Sequence, residues 1–92
     1  MPTKDDIQNA LATISGELNE TPLQRSAHLE RLCESEVLLK LENYQVTGSF
    51  KARGGLNKLY SLDPGERERG IIAASSGNHG AACAFGASRV NC

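Results

Sequence analysis

The sequence has few aromatic residues and no long apolar stretch. It contains no tryptophan, two tyrosines and two phenylalanines among 92 residues. Nothing in it approaches the roughly 20 consecutive apolar residues that a transmembrane helix requires. The N-terminal segment, residues 1–6, is acidic and lacks the apolar core of a signal peptide. We therefore expect a cytoplasmic protein that has no membrane partner.

Neither the charge nor the cysteine content points to a specialised class of protein. Ten Lys and Arg residues against 11 Asp and Glu residues give a formal net charge of −1, so no basic surface for nucleic acid is expected. Cys33, Cys83 and Cys92 are odd in number and form no C-x-x-C pair. Reduced thiols are therefore expected rather than disulfides, and no metal site is predicted.

The length allows one small domain at most. A domain of this size buries about 60–65 % of its unfolded surface, so its core would be marginal. Ile7, Leu11, Ile14 and Leu18 recur at helical spacing, and Thr3 with Asp6 has the pattern of a capping box. Residues 1–20 are therefore predicted to form an N-terminal amphipathic helix.

Alternating helical and strand patterns occupy the rest of the chain. Helices are predicted at 28–33, at about 49–62 and around 81–87, and short apolar runs predict strands at 37–41 and 71–74. Residues 63–65 are predicted to form a turn, and residues 66–69 an exposed charged patch. Gly54 and Gly55 inside a helix suggest close approach of a neighbouring backbone. The order predicts an α/β fold with a mostly parallel sheet.

Lys51 is the first residue with a chemical role to consider. It lies where a polar loop, residues 42–48, leads into a helix, with the aromatic Phe50 beside it. An amine that is desolvated at a helix N-terminus is suited to bind an aldehyde as a Schiff base. By position alone an ordinary surface lysine remains the alternative.

A second polar loop, Ser75-Ser76-Gly77-Asn78-His79-Gly80, comes directly after the other predicted strand. Backbone N–H groups at a helix N-terminus suit a carboxylate or phosphate. Simple capping of the helix by a serine is the alternative. If both strands belong to one parallel sheet, Lys51 and Asn78 face the same crevice at its carboxyl edge.

The segment from Leu39 to Gly54, LKLENYQVTGSFKARG, resembles the cofactor-lysine region of the threonine and serine dehydratases. These are fold-type II enzymes that use pyridoxal 5′-phosphate. The loop SSGNHG resembles the substrate and cofactor loop of the same family, and Thr21-Pro22-Leu23 resembles its early T-P-L segment. The resemblance covers residues 21–85 and implies a three-layer α/β fold, of which residues 21–92 would form an incomplete catalytic domain.

The resemblance also implies roles for individual residues. Lys51 would bind the cofactor aldehyde and later remove the α-proton, and Phe50 would pack against the pyridine ring. Asn78 would donate a hydrogen bond to the phenolic oxygen of the cofactor. The substrate carboxylate would be surrounded by Ser75, Ser76, Gly77 and His79. A serine that matches Ser76 is the base on the opposite face in racemases of this family.

The activity implied is α,β-elimination of threonine or serine to a 2-oxo acid and ammonia, with homo-oligomers for full-length members of the family. The sequence has no glycine-rich phosphate loop and no residue matching the partner of the pyridine nitrogen. We therefore expect the N-terminal part of a longer enzyme. The alternatives are a non-catalytic remnant or interaction module, and a serine racemase or β-replacement enzyme.

Overall fold

Helices dominate the structure, a computed structural model that describes all residues, Met1–Cys92. The helices are α1 Lys4–Ile14, α2 Ala27–Cys33, α3 Lys51–Tyr60, α4 Pro64–Arg69 and α5 Asn78–Val90. A 3₁₀ helix covers Glu42–Tyr44, and the two strands are β1 Leu23–Arg25 and β2 Leu38–Lys40. The predicted helices at 1–20, 28–33, 49–62 and 81–87 are confirmed as α1, α2, α3 and α5, with shifted ends.

Capping boxes begin two of the helices. At α1 the Thr3 hydroxyl accepts a hydrogen bond from the Asp6 N–H at 3.2 Å, and the Asp6 carboxylate accepts one from the Thr3 N–H at 2.7 Å. The predicted cap is therefore confirmed. At α4, Asp63 and Glu66 form the same reciprocal pair, and Pro64 fills the first helical position, where its missing N–H costs nothing. The predicted turn at 63–65 is wrong because these groups start a helix.

The core lies between α3 and α5. Ala52, Leu56 and Leu59 of α3 are buried against a face of α5 that includes Ala82 and Gly86. Small residues on α5 allow the two backbones to approach closely. This contact holds together the two helices whose N-termini carry the predicted site residues.

One of the two adjacent glycines of α3 is required by this packing. A Cβ on Gly55 would lie 3.1 Å from the Cβ of Ala82, whereas a Cβ on Gly54 would meet nothing within 4 Å. The predicted close approach is therefore confirmed for Gly55, and Gly54 faces open space.

The only sheet is a two-stranded antiparallel pair of β1 and β2, in which Gln24 lies opposite Leu39. The strand predicted at 37–41 is confirmed as β2, but the mostly parallel sheet is not confirmed. The strand predicted at 71–74 is wrong for this chain, since that stretch has no regular secondary structure, pairs with no strand and is exposed. A strand needs a neighbour to satisfy its N–H and C=O groups, and these residues have none here.

Every helix is too short or too polar to cross a lipid bilayer. The three cysteines are free. No group of three or more His, Cys, Asp or Glu side chains lies close enough together to hold a metal ion.

Candidate active site

Lys51 is the first residue of α3, and Phe50 precedes it at the N-cap position. Both side chains are exposed. The Nζ atom of Lys51 lies 5.2 Å from the centroid of the Phe50 ring, within the range of a cation–π contact. The expected desolvation of Lys51 is therefore not seen in this chain. The expected aromatic wall is present, because the Phe50 ring lies beside the Lys51 amine.

The loop before Lys51 is held by its own polar groups. Gly48 adopts a φ of 77°, a conformation that favours glycine, and its N–H donates to the carbonyl of Gln45 at 2.7 Å. The buried hydroxyl of Ser49 accepts a hydrogen bond from the Lys51 N–H at 3.3 Å. The backbone of Lys51 is thus fixed, while its side chain extends to the surface.

An open cavity of about 490 Å³ lies between α3, the start of α5 and residues 71–72. Lys51, Lys58 and His79 supply its basic groups, and apolar side chains form most of the rest of its wall. The apolar residues include Phe50, Leu59, Leu62, Ile71 and Ile72. A flat aromatic ligand with an aldehyde would find an amine and a hydrophobic surface here.

The second predicted loop leads directly into α5. Asn78 and His79 are the first two helical residues, and Gly77 is the N-cap, with no side chain capping the helix. The Ser75 hydroxyl accepts from the Gly77 N–H at 3.2 Å instead. Capping by a serine, the alternative interpretation of this loop, is therefore not what the structure shows. The first N–H groups of α5 have no side-chain partner and suit an anion.

Gly80 is required by the turn at this loop. A Cβ on Gly80 would lie 2.7 Å from the carbonyl oxygen of Ser75, closer than real Cβ contacts. The loop 75–77 can therefore fold back over the first turn of α5 only because residue 80 has no side chain.

The structure brings some of the predicted residues together and separates others. Lys51, Phe50 and His79 line the 490 Å³ cavity. Ser75 lines a neighbouring cavity together with Gly80 and with Cys83, which lines both cavities. Ser76, Gly77 and Asn78 are exposed and line neither cavity.

Two residues with reactive side chains at the cavity were not predicted as site residues. Lys58 lies two helical turns after Lys51 on α3, and Cys83 lies one turn after His79 on α5. The Sγ atom of Cys83 is 3.6 Å from Nε2 of His79. Spacings of seven and four residues place side chains on one face of a helix, so this periodicity was the signal that could have identified them.

A charged cluster of Thr21, Glu42 and Arg53, called here the Glu42 cluster, was also missed. The guanidinium of Arg53 donates two hydrogen bonds of 2.8 Å to the Glu42 carboxylate, and the Thr21 hydroxyl donates a third. These donors, Arg53 first, hold the pKa of Glu42 at about 2, although burial opposes the shift. The hydrogen bond to Glu42 raises the pKa of Arg53.

Fold and site together define an α/β protein with an exposed lysine at the wall of an open cavity. An amine, an aromatic wall and a helix N-terminus without a side-chain cap are arranged around adjacent cavities on one helix pair. An amine, an apolar ring and free N–H groups are the kinds of group that can bind an aldehyde, an aromatic ring and an anion.

Comparisons with known proteins identify the family. The family model described as pyridoxal-phosphate dependent enzyme matches residues 14–92. An L-threonine ammonia-lyase of Thermotoga maritima is 44 % identical over 87 residues, which cover 95 % of this chain and 22 % of that protein.

Two solved structures have the same fold over nearly the whole chain. A threonine deaminase of T.th. superposes with a TM-score of 0.82 at 39 % identity, over 98 % of this chain and 32 % of that one. A maize serine racemase superposes with a TM-score of 0.86 at 33 % identity, over 96 % of this chain and 28 % of that one.

The chain belongs to the pyridoxal-phosphate dependent enzyme family. It spans about a quarter of the length of the curated relatives it matches. Its residues fit the cofactor of that family at the aldehyde end, since Lys51 lies at the wall of a cavity and the Phe50 ring lies beside its Nζ atom.

Proposed function

We propose that these residues serve in a threonine or serine ammonia-lyase, which converts a hydroxy amino acid to a 2-oxo acid and ammonia. One observation carries the proposal: Lys51, Phe50 and His79 line a single cavity in a chain 44 % identical to an L-threonine ammonia-lyase. Residues 21–92 would supply part of the catalytic domain, and residues 1–20 a helix that packs on it.

Lys51 is the proposed catalytic base. Its Nζ atom would hold pyridoxal 5′-phosphate and later remove the proton from the α-carbon of the substrate. When bound, the cofactor withdraws electrons from that carbon. Phe50 would provide the apolar wall for the ring, and the side-chain amide of Asn78 would donate a hydrogen bond to the phenolic oxygen.

The loop before α5 is the proposed substrate site. Ser75, Ser76, Gly77 and His79 would surround the carboxylate of the amino acid. Support comes from the N-terminus of α5, whose first N–H groups have no side-chain cap and favour an anion. Elimination of the β-hydroxyl as water, and then hydrolysis, gives the 2-oxo acid and ammonia.

The parallel sheet, the cellular location and the oligomeric state belong to the same proposal. The exposed apolar stretch 71–74 would become one strand of a mostly parallel sheet within a three-layer fold. The enzyme would be a cytoplasmic homo-oligomer whose partner is threonine or serine, without nucleic-acid or membrane partners.

Serine racemase is the second candidate, favoured by the superposition on the maize enzyme. In that case Ser76 would act as the base on the face opposite Lys51. Ser76 is exposed in the loop before α5, so its hydroxyl is accessible, although it does not line the cavity that contains Lys51.

A chimera tests the function in the setting of a full-length enzyme. These 92 residues would replace the matching segment of the T.th. threonine deaminase, of which they cover 32 %. We expect ammonia and 2-oxo acid from L-threonine, loss of both in Lys51→Ala, and retention in Lys4→Ala, a matched lysine at the start of α1.

The outcomes of this experiment separate the candidates. Turnover that survives Lys51→Ala would contradict the assignment. Conversion of L-serine mainly to D-serine, lost in Ser76→Ala, would identify the racemase instead. Ammonia release by the unfused 92-residue chain, dependent on Lys51, would exclude a non-catalytic remnant.

A further inference from the structure

We propose that the Glu42 cluster positions Lys51: Arg53, through Glu42 and Thr21, fixes the loop Leu41–Phe50 and thereby the direction in which the Lys51 amine leaves α3. The proposal rests on the function proposed for Lys51 and goes beyond it, because none of these three residues lines the Lys51 cavity. They are positioning residues rather than catalytic ones.

The cluster joins both ends of the loop. Glu42 is the first residue of the 3₁₀ helix at the start of the loop, and Arg53 lies in the first turn of α3, two residues after Lys51. The two hydrogen bonds between them, each 2.8 Å, close the intervening chain into a ring. A bidentate Arg–carboxylate pair fixes orientation as well as distance.

The cluster is partly shielded from solvent. The side chain of Glu42 is 16 % exposed and that of Arg53 is 32 % exposed. Thr21 is buried and donates its hydroxyl proton to Glu42, while its carbonyl accepts from Nζ of Lys40 at 3.3 Å. The loop is therefore tied to the segment before β1 as well as to α3.

A second contact holds the middle of the same loop. The buried side-chain amide of Gln45 donates to the carbonyl of Asn19 at 2.9 Å and accepts from the Asn19 N–H at 3.0 Å. Its oxygen also accepts from the Val46 N–H at 2.8 Å. With the start, middle and end of the loop all held, the Arg53 contact is the one that joins the start of the loop to the helix carrying Lys51.

The chain contains a matched pair elsewhere. Arg25 donates two hydrogen bonds, of 2.8 and 3.0 Å, to Glu30, but it links β1 to α2 and lies outside the segment that leads to Lys51. Arg25→Gln therefore removes the same kind of contact as Arg53→Gln and provides the control.

Hydrogen exchange of backbone amides in the 92-residue chain tests the positioning directly. We expect Arg53→Gln to accelerate exchange of amides 45–51 by at least about tenfold, the change that loss of a charged hydrogen bond produces. Amides in the second half of α5 report global stability and should accelerate by a smaller factor, because the Arg53–Glu42 pair also contributes to the stability of the whole chain. Arg25→Gln should not change the exchange rates of amides 45–51.

A chemical readout monitors the amine itself. The chain is incubated with pyridoxal 5′-phosphate and reduced with borohydride, and the adducts at Lys51 and Lys58 are counted by peptide mass spectrometry. Both lysines line one cavity, so the ratio of the two adducts reports the direction of the Lys51 amine rather than the overall folding of the chain. We expect Arg53→Gln to lower the ratio of Lys51 to Lys58 adducts severalfold.

The results separate this proposal from the function on which it rests. An absence of Lys51 adduct in the unaltered chain would contradict the cofactor role, whatever the exchange data show. Unchanged exchange at 45–51, equal acceleration in α5, or an unchanged adduct ratio would overturn the positioning role. Thr21→Val is a milder variant, expected to shift both readouts in the same direction by a smaller factor.

Discussion

Gly86 of α5 lies so close to Leu59 of α3 that a Cβ on Gly86 would overlap the Leu59 side chain. Both residues are buried, and the contact is part of the helix pair that carries the candidate site. The distance between the start of α3 and the start of α5 therefore depends on a residue that has no side chain.

Gly86→Ala should destabilise the chain by about 1–3 kcal/mol, because overpacking outweighs the better helix propensity of alanine. Gly54→Ala is the matched control on α3, where a Cβ meets nothing within 4 Å. It should stabilise the chain by up to about 1 kcal/mol. Urea denaturation measures both, and equal effects at the two positions would show that the α3–α5 contact is looser than described.

The chain should become less stable in acid because the Glu42 carboxylate becomes protonated. Arg53 holds the folded-state pKa of Glu42 at about 2, against an ordinary value of 4.5. A depressed folded pKa contributes stability that is complete above the unfolded value and is lost as the pH falls through the folded one. The contribution, about 2 kcal/mol after allowance for solvent screening, should therefore disappear between pH 4.5 and about 2.

Glu42→Gln isolates this contribution. The variant should be less stable at neutral pH, and its free energy of unfolding should depend less on pH across the same window. Asp63→Asn, at the exposed cap of α4, serves as a control carboxylate outside the cluster. An unaltered slope in Glu42→Gln would mean that other carboxylates dominate the acid transition.

Thr47→Val should stabilise the chain by about 1 kcal/mol. The hydroxyl oxygen of Thr47 is buried without a hydrogen-bond partner, and a methyl group of similar shape removes that penalty. Thr13→Val is the comparison, since the Thr13 hydroxyl donates to the Asn9 carbonyl at 2.9 Å in an exposed helix and should change stability by less than about 0.5 kcal/mol. A destabilised Thr47→Val chain would show that this hydroxyl has a partner.

Binding of pyridoxal 5′-phosphate should protect Cys83 from alkylation and leave Cys33 reactive. Cys83 lines the cavity that contains Lys51, whereas Cys33 is exposed at the end of α2. The rate of iodoacetamide labelling at each cysteine, with and without cofactor, measures the effect. Equal protection of both thiols, or of neither, would place the cofactor elsewhere.

Local patterns predicted the helices well because their signals lie in adjacent residues. The Thr3–Asp6 box and the apolar spacing of α1 and α3 needed no tertiary information. The strand at 71–74 was wrong because strand formation depends on a partner that these 92 residues do not supply. The turn predicted at 63–65 was wrong because Asp63 and Glu66, three residues apart, form a capping box that starts a helix. Pro64, which lies between them, was interpreted as part of a turn.

Lys51, Phe50 and His79 were predicted from motifs and do share one cavity. The Glu42 cluster was missed because its members are 21 and 11 residues apart in sequence and meet only when the loop closes. Cys83 and Lys58 could have been identified from helix periodicity, because they lie four residues after His79 and seven residues after Lys51.

Mapping the lysines that react with the cofactor tests the central claim most directly. The chain has four lysines, Lys4, Lys40, Lys51 and Lys58, so borohydride reduction in the presence of limiting pyridoxal 5′-phosphate, and then peptide mass spectrometry, compares all of them in one molecule. We predict that the adduct forms predominantly on Lys51 and that Lys51→Ala loses it without a gain elsewhere. An adduct spread evenly over the four lysines, or concentrated on Lys58, would contradict the assignment of Lys51 as the cofactor lysine.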